Sequence, residues 1–225
     1  SALSYTVTVT DATEIIILDG QTGSVAEDAS VGDAVMTVSI TDSTPTAILF
    51  SAGNADGIFA IATSGAVTIA DATNLDFETT ASYTLTIVAY DASSSDVADI
   101  TISITNANDA PTVTSAQAAV STAEDAVYSL DVSGNFDDED TADTLSFTAT
   151  GMPSTMSMST AGVLSGTPLN ADVGDHTVIV TATDDGTGTL TVTDTFVITV
   201  TNTNDAPTVT SALSAASTAE DGSYS

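Results

Sequence analysis

The chain has 225 residues, 42% of them hydrophobic and 31 of them Asp or Glu, with neither Lys, Arg nor Cys, so its formal charge is −31. Such a chain cannot neutralise phosphates, which argues against nucleic-acid binding and against anionic membrane surfaces. It also has no disulfide, no zinc–thiolate site and no apolar run near the ~18 residues of a membrane-spanning helix.

Strand patterns follow one another at short intervals along the first half of the chain. Residues 5–10 alternate strictly (YTVTVT), which predicts a half-buried strand. Turn residues such as Gly53-Asn54 and Asp56-Gly57 separate the later segments. No segment has helical periodicity of useful length, so an antiparallel sandwich is predicted. The further predicted strands are residues 34–41, 47–50, 58–61, 66–70, 83–90 and 97–105.

The second half repeats this plan with different residues. An acidic loop, FDDEDTADT, occupies residues 136–144 and lacks the glycine and terminal glutamate of an EF-hand. It is predicted to be either solvated or metal-binding. The predicted strands are residues 113–120, 126–132, 145–150, 163–164, 176–183 and 190–201.

One 25-residue stretch occurs twice in nearly the same form, and the distance between the two copies gives the length of the repeated module. Residues 105–129 return 96 residues later as residues 201–225, with 19 of 25 positions identical. We therefore expect tandem modules with this stretch as the joint between them. The predicted domains are 21–110 and 111–206, preceded by the end of another module at 1–20 and followed by the start of a third, incomplete one at 207–225.

The joint is rich in oxygen ligands. It combines an amide- and carboxylate-bearing turn with an acidic pair, Glu124-Asp125, and crowded carboxylates become favourable when a cation neutralises them. Asp76 and Glu78 would share one face of an extended segment, with Phe77 toward the core. The alternative is that most carboxylates form a solvated surface suited to salty water.

Four spaced motifs in the first module resemble those of a cadherin repeat. They are Val25-Ala26-Glu27-Asp28, Leu75-Asp76-Phe77-Glu78, Ala89-Tyr90-Asp91 and the joint at residues 106–111, and the stretch at residues 53–70 also resembles this family. The second module, with LSGTP at residues 164–168, resembles the cadherin-like type found in dystroglycan and in large bacterial surface proteins. The resemblance implies an all-β fold of tandem Ig-like Greek-key β-sandwiches.

The resemblance also implies Ca²⁺ bound between successive modules. Asn106 stands where the family has Asp, and the last Asn of the family joint is missing, so some charge is lost. The second module has no Leu-Asp-x-Glu motif, and weaker or no calcium binding is expected at residues 202–205. The implied ligands are Glu27, Asp76, Glu78, Asn106, Asn108 and Asp109, with Asp138, Asp140 and Asp184 from the second module. At the N-terminal joint they are Asp11 and Glu14, with Asp42 and Asp91.

These features predict a calcium-rigidified structural or adhesive segment of a large extracellular surface protein or filament, as in bacterial adhesins and biofilm proteins. Its expected partners are neighbouring modules, other copies of itself, or cell-surface glycans and proteins. One alternative is a module that binds glycan or protein through loops at a sandwich end. Another is a fibre subunit joined by strand addition. An enzyme is not expected, because the single histidine, His176, has no nucleophile motif near it.

Overall fold

The computed structural model describes residues 14–211, 213 and 220. It forms two compact units, the first made of Ser1–Pro111, Asp138–Thr144 and Asp184–Leu190, and the second of Thr112–Asp137, Leu145–Thr183 and Thr191–Ser225. The predicted strand at residues 5–10 and Asp11 lie outside the described residues. Within the described part, no helix has the length and apolarity needed to cross a membrane.

The described residues of unit 1 form nine strands. A four-stranded sheet has the order β2-β9-β8-β5, with β2 parallel to β9, and a three-stranded sheet has the order β3-β7-β6. Strands β1 and β4 form a separate pair. The bounds are β1 Ile16–Ile17, β2 Gln21–Ala26, β3 Ala34–Thr37, β4 Ile40–Thr41, β5 Ala47–Ala52, β6 Phe59–Ile61, β7 Ala66–Ile69, β8 Ser82–Tyr90 and β9 Ser95–Thr105.

Alternation along the two longest strands builds the core of unit 1. On β8 the side chains of Leu85, Ile87 and Ala89 are buried, and β9 contributes every second residue from Ala98 to Ile104. Val67 and Ile69 on β7 pack into the same core from the three-stranded sheet. Because successive strand residues point to opposite faces, the residues between them form an outward face.

Unit 2 repeats the topology of unit 1 strand for strand. The four-stranded sheet has the order β11-β18-β17-β14, the three-stranded sheet β12-β16-β15, and β10 pairs with β13. The bounds are β10 Thr112–Val113, β11 Val120–Ala123, β12 Tyr128–Asp131, β13 Phe136–Asp137, β14 Ser146–Thr150, β15 Met156–Met158, β16 Val163–Gly166, β17 Gly174–Thr183 and β18 Thr191–Thr201, with 3₁₀ turns at Ser133–Asn135 and Asn170–Asp172.

The core of unit 2 is also built by alternation along its two longest strands. Val178, Val180 and Ala182 on β17 and Phe196, Ile198 and Val200 on β18 are all buried, and Val178 pairs with Phe196. The prediction of an all-β, Ig-like sandwich architecture is therefore confirmed for both units.

Local strand boundaries differ from the prediction in several places. Residues 34–41 form two strands, because the chain leaves the ladder at Val38 and Ser39. Of residues 113–120, only the two ends are in strands. Strands β1, β2, β13 and β15 were not predicted, since Gln21–Ala26 carries Gly23 and the other three have only two or three residues each.

Candidate metal centre

The site begins where β2 and β9 end side by side. Their parallel register pairs Ala26 with Thr105, and the N–H of Glu27 donates to the carbonyl oxygen of Thr105 (3.2 Å). The carboxylate of Glu27 then accepts the N–H of Ala107 (2.6 Å) and the N–H of Phe77 (2.5 Å). The Glu27 carboxylate therefore links the joint segment, residues 105–111, to the segment that carries Asp76 and Glu78.

The segment around Phe77 is a turn, so the expectation that it is extended was wrong. Asp76 accepts the N–H of Thr79 (2.7 Å) and its hydroxyl (2.8 Å), and these hydrogen bonds close residues 77–79 into a turn. Leu75 is buried and Phe77 packs against the core of unit 1, which anchors the turn at both sides. The anchored turn still presents Asp76 and Glu78 together.

Three carboxylates meet at this turn. Glu27, Asp76 and Glu78 each offer one oxygen, and these oxygens lie within 4.8 Å of one another. Glu27 and Asp76 are partly buried and Glu78 is exposed. Like charges at this spacing repel one another strongly where water is partly excluded.

Asp140 extends the cluster across the joint segment, and it belongs to the same compact unit. Its side chain is only 5% exposed, and it accepts the N–H of Asp109 (2.7 Å) and the side-chain amide of Asn106 (2.6 Å). The same amide donates to Glu78 (2.9 Å). Asn106 therefore joins two of the carboxylates.

Asp184 and Asn108 form the remaining contact of the cluster. The amide of Asn108 donates to Asp184 (3.1 Å), whose buried carboxylate also accepts the N–H groups of Gly186 (3.2 Å) and Leu190 (3.0 Å). Asp138 accepts the N–H of Asp140 (3.1 Å) and so fixes the acidic loop. All nine sequence-predicted ligands of this joint thus lie in unit 1.

A cavity of about 280 Å³ opens beside the cluster. It is lined by Glu27, Asp28, Leu75, Asp76, Ala107, Asn108, Asp109 and Glu139. Sequence reasoning named neither Asp28 nor Glu139 as a site residue. Asp28 could have been found as the second acid of the VAED motif, and Glu139 as a member of the acidic loop.

Burial and repulsion between neighbouring carboxylates raise the pKa of several groups in the cluster. Burial, with the charges of Glu27 and Asp140, raises the pKa of Asp109, and burial with the same two charges raises the pKa of Glu78. The charge of Asp76 raises the pKa of Glu139. Asp76 is the exception, because the hydrogen bonds from Thr79 lower its pKa. The protonated form is therefore favoured at Glu78, Asp109 and Glu139, and a cation that replaces the proton would be favoured there too.

The ligands predicted at the N-terminal joint are not gathered in the same way. Asp91 accepts the Ser43 hydroxyl (2.6 Å) and the N–H groups of Ser93 (2.7 Å) and Ser94 (2.6 Å), which lowers its pKa. Glu14 and Asp42 are exposed. Asp11 lies outside the described residues, so this second site stays a prediction.

Unit 2 contains a counterpart of Glu27 that the predicted ligand set omitted. The carboxylate of Glu124 accepts the amide of Asn202 (2.7 Å) and the N–H of Thr203 (2.6 Å), as Glu27 accepts the N–H of Ala107. Glu124 is 2% exposed, and its Oε2 has no hydrogen bond among the described residues. The repeated AED of residues 26–28 and 123–125 was the signal for this equivalence.

Gly186 is needed for the contacts around Asn108. A Cβ atom at this position would overlap Asn108 Oδ1 and Asp143 Oδ2. Both are side-chain atoms, which can move aside without disturbing the backbone. A larger residue here would therefore displace the amide of Asn108.

Comparison with protein families places each sandwich separately. Residues 21–105 match the family model described as "Cadherin domain". Residues 110–201 match the one described as "Putative Ig domain". No curated protein gives a significant match to the chain.

Solved structures share the fold at low identity. Mouse cadherin-23 EC22-24 is 23% identical, with a TM-score of 0.63 over 84% of this chain and 65% of that chain. Protocadherin gamma B2 domains 3-6 are 22% identical, with a TM-score of 0.63 over 85% and 48%. Drosophila N-cadherin EC1-4 is 21% identical, with a TM-score of 0.63 over 85% and 50%. The chain thus spans between about half and two thirds of these structures, and the likeness concerns the fold.

Proposed function

We propose that calcium orders the joint of an adhesive or structural extracellular repeat. The premise is that residues 21–105 match a cadherin domain and residues 110–201 an Ig-like domain. The ligands would come from Glu27, Asp76, Glu78, Asn106, Asn108, Asp109, Asp138, Asp140 and Asp184. The observation that carries the proposal is the approach of the Glu27, Asp76 and Glu78 oxygens to within 4.8 Å.

The donor chemistry of the cluster fits a hard divalent cation. Calcium takes about six to eight oxygens from carboxylates, amides, backbone carbonyls and water. The cluster offers carboxylate and amide oxygens and no thiol, and its single-sign charge has no Lys or Arg to neutralise it. These residues suit calcium better than a transition metal, which would favour imidazole or thiolate.

Ordering would follow from the contacts of Glu27. Its two oxygens hold the N–H groups of Phe77 and Ala107, so a cation bound to this carboxylate acts on the turn and on the joint segment at once. A ligand that binds only the ordered arrangement stabilises it by mass action. Calcium would therefore stiffen residues 105–111 while the hydrophobic core of unit 1 stays folded without it.

An extracellular surface location would supply the ion. Extracellular calcium modules bind in the range of about 10⁻⁴–10⁻³ M. We place the chain in this class, as part of a surface protein or filament whose partners are its neighbouring modules, further copies or cell-surface molecules.

Isothermal titration calorimetry of the whole chain tests the proposal. We expect saturable calcium binding at pH 7.5, with magnesium binding at least about tenfold more weakly, because magnesium dehydrates reluctantly and demands octahedral geometry. Heats equal for both ions that vanish in about 0.15 M NaCl would mean a diffuse counterion atmosphere and would refute a specific site.

The pH dependence of calcium affinity should follow the raised pKa values of Glu78 and Asp109. Protons compete with the ion, so affinity falls on acidification, beginning above the ordinary carboxyl values of 4.5 and 3.8. Raised folded-state values also mean that the metal-free unit 1 loses stability as pH rises through those pKa values. Calorimetry between about pH 4.5 and 7.5 measures the first effect; affinity constant over that range would contradict it.

The Gly186→Ala exchange should weaken calcium binding without unfolding unit 1. The added methyl displaces the amide of Asn108, and disturbing a supporting contact of a metal site costs about 10-fold or more in affinity. Thr187→Ala, an exposed position in the same loop, is the matched control. Equal calcium affinity for both variants would contradict a role for Asn108 in calcium binding.

A further inference from the structure

The free edge of β5 in unit 1 combines an open backbone with a cavity. Among the described residues, strand β5 is the last strand of its sheet and pairs with β8 alone. A cavity of about 470 Å³ lies along it, lined by Ile61 and by the continuous stretch of residues 48–55, Leu49 included. This volume lies in the range of about 300–1,000 Å³ of ligand pockets.

The register shows which backbone groups are available at this edge. The N–H of Asp91 donates to the carbonyl of Ser94 (3.0 Å), so alternate residues of β8, Val88 among them, turn their backbone groups toward β5. Leu49 pairs with Val88. The N–H and C=O groups of Ile48 and Phe50 therefore point to the open side, where a further strand could pair with them.

The outward face of the same sheet is apolar at this edge. Leu49, Val88 and Val97 lie in one cross-strand row; Leu49 is 44% and Val97 56% exposed, and Val88 between them is buried. The corresponding row of unit 2 is Thr148, Thr181 and Thr193. Unit 1 thus presents aliphatic side chains where its structural counterpart presents hydroxyls.

Charges stand at both ends of the edge and not at its centre. Asp91 follows Tyr90, which pairs with Ala47 at the start of β5, and Asp56 lies exposed in the connection beyond its end. Residues 47–55 carry no charge, and edge strands are commonly protected by charged side chains, chiefly Lys. The edge therefore matches an extended segment that is apolar in the middle and basic at both ends.

We propose that the free edge of β5 docks an extended segment of another protein, added as a fifth strand, with apolar residues at alternate positions and Lys or Arg at both ends. Side chains of that segment would enter the cavity beside Ile48, Leu49 and Phe50 and would cover the exposed Leu49. A second copy of this chain fits poorly, because it brings a charge of −31 and no Lys or Arg. Main-chain pairing would supply affinity and alternate side chains specificity.

The probe for this proposal is the synthetic peptide Lys-Val-Thr-Val-Thr-Val-Thr-Lys, titrated into the isotope-labelled whole chain and followed by amide chemical shifts. We expect saturable shifts centred on Ile48 and Phe50. The same peptide N-methylated at its central residues should bind at least about tenfold more weakly, because it loses main-chain hydrogen bonds. A peptide with Glu at both ends should also bind more weakly.

Protein variants supply the matched comparison. Leu49→Thr should weaken binding of the lysine-ended peptide by about three- to tenfold through lost apolar contact. Ile179→Thr removes a side chain of similar exposure (41%) from β17 of unit 2 and should leave binding unchanged. Equal binding of the methylated peptide, shifts centred elsewhere, or a homodimer that Leu49→Thr dissolves would each overturn the proposal.

Discussion

We expect the Glu27→Gln exchange to lower the proposed calcium affinity of the chain by at least about 100-fold, since changes to supporting contacts alone cost about 10- to 100-fold. Glu27 is the only described residue whose carboxylate bonds both Phe77 and Ala107. The amide of glutamine loses the negative charge and turns an NH₂ group toward one of these two N–H donors. Calorimetry with CaCl₂ measures the loss.

Two further variants make this result interpretable. Asp99→Asn removes the same charge from an exposed position on β9 and should keep the affinity within about twofold. Glu78→Gln removes a proposed ligand whose side chain is exposed and should weaken binding without disturbing the fold. A Glu27→Gln protein that binds calcium like Asp99→Asn would show that the ion does not use this carboxylate.

The Asp172→Ala exchange should lower the melting temperature of unit 2 by roughly 10 °C or more, because it leaves buried donors without an acceptor. Asp172 is 3% exposed and accepts the N–H (2.8 Å) and hydroxyl (2.7 Å) of Ser154, the Thr155 hydroxyl (2.7 Å) and the Leu169 N–H (3.1 Å). This one carboxylate joins the loop after β14 to the loop after β16.

The same hydrogen bonds predict how the stability of unit 2 depends on pH. They lower the pKa of Asp172 below its ordinary 3.8, so its contribution is present above that value and is lost as pH falls through the lowered pKa. Asp175→Ala is the control, since Asp175 is exposed and accepts one hydroxyl, from Thr199. Differential scanning calorimetry in which the two variants melt alike would contradict the assignment.

Long alternating segments made the fold predictable. Residues 83–90 and 97–105 place every second side chain in the core, and the structure has strands over Ser82–Tyr90 and Ser95–Thr105. The resemblance to cadherin-type repeats, which rested on four motifs in order, is confirmed. Strand β2 escaped prediction because it is set by pairing with β9 some 80 residues on, and β15 because three residues are too few to show a pattern.

The residues of the candidate site could be predicted from the sequence, but the conformation of the segments that carry them could not. The spacing of Asp76 and Glu78 indicated proximity, but hydrogen bonds from Thr79 make the segment a turn. The role of Glu27 as a bridge between Phe77 and Ala107 depends on contacts 50 and 80 residues apart. No local pattern reveals such contacts. Glu124 could have been found by carrying the first module's motif onto the second.

A crystal structure of the chain grown in about 5 mM CaCl₂, with anomalous scattering to identify the ion, tests the central claim most directly. The account predicts a peak between Glu27, Asp76 and Glu78 with contacts of about 2.3–2.6 Å to their carboxylate oxygens. Carboxylates that turn into bulk solvent, with no peak among them at that concentration, would contradict it.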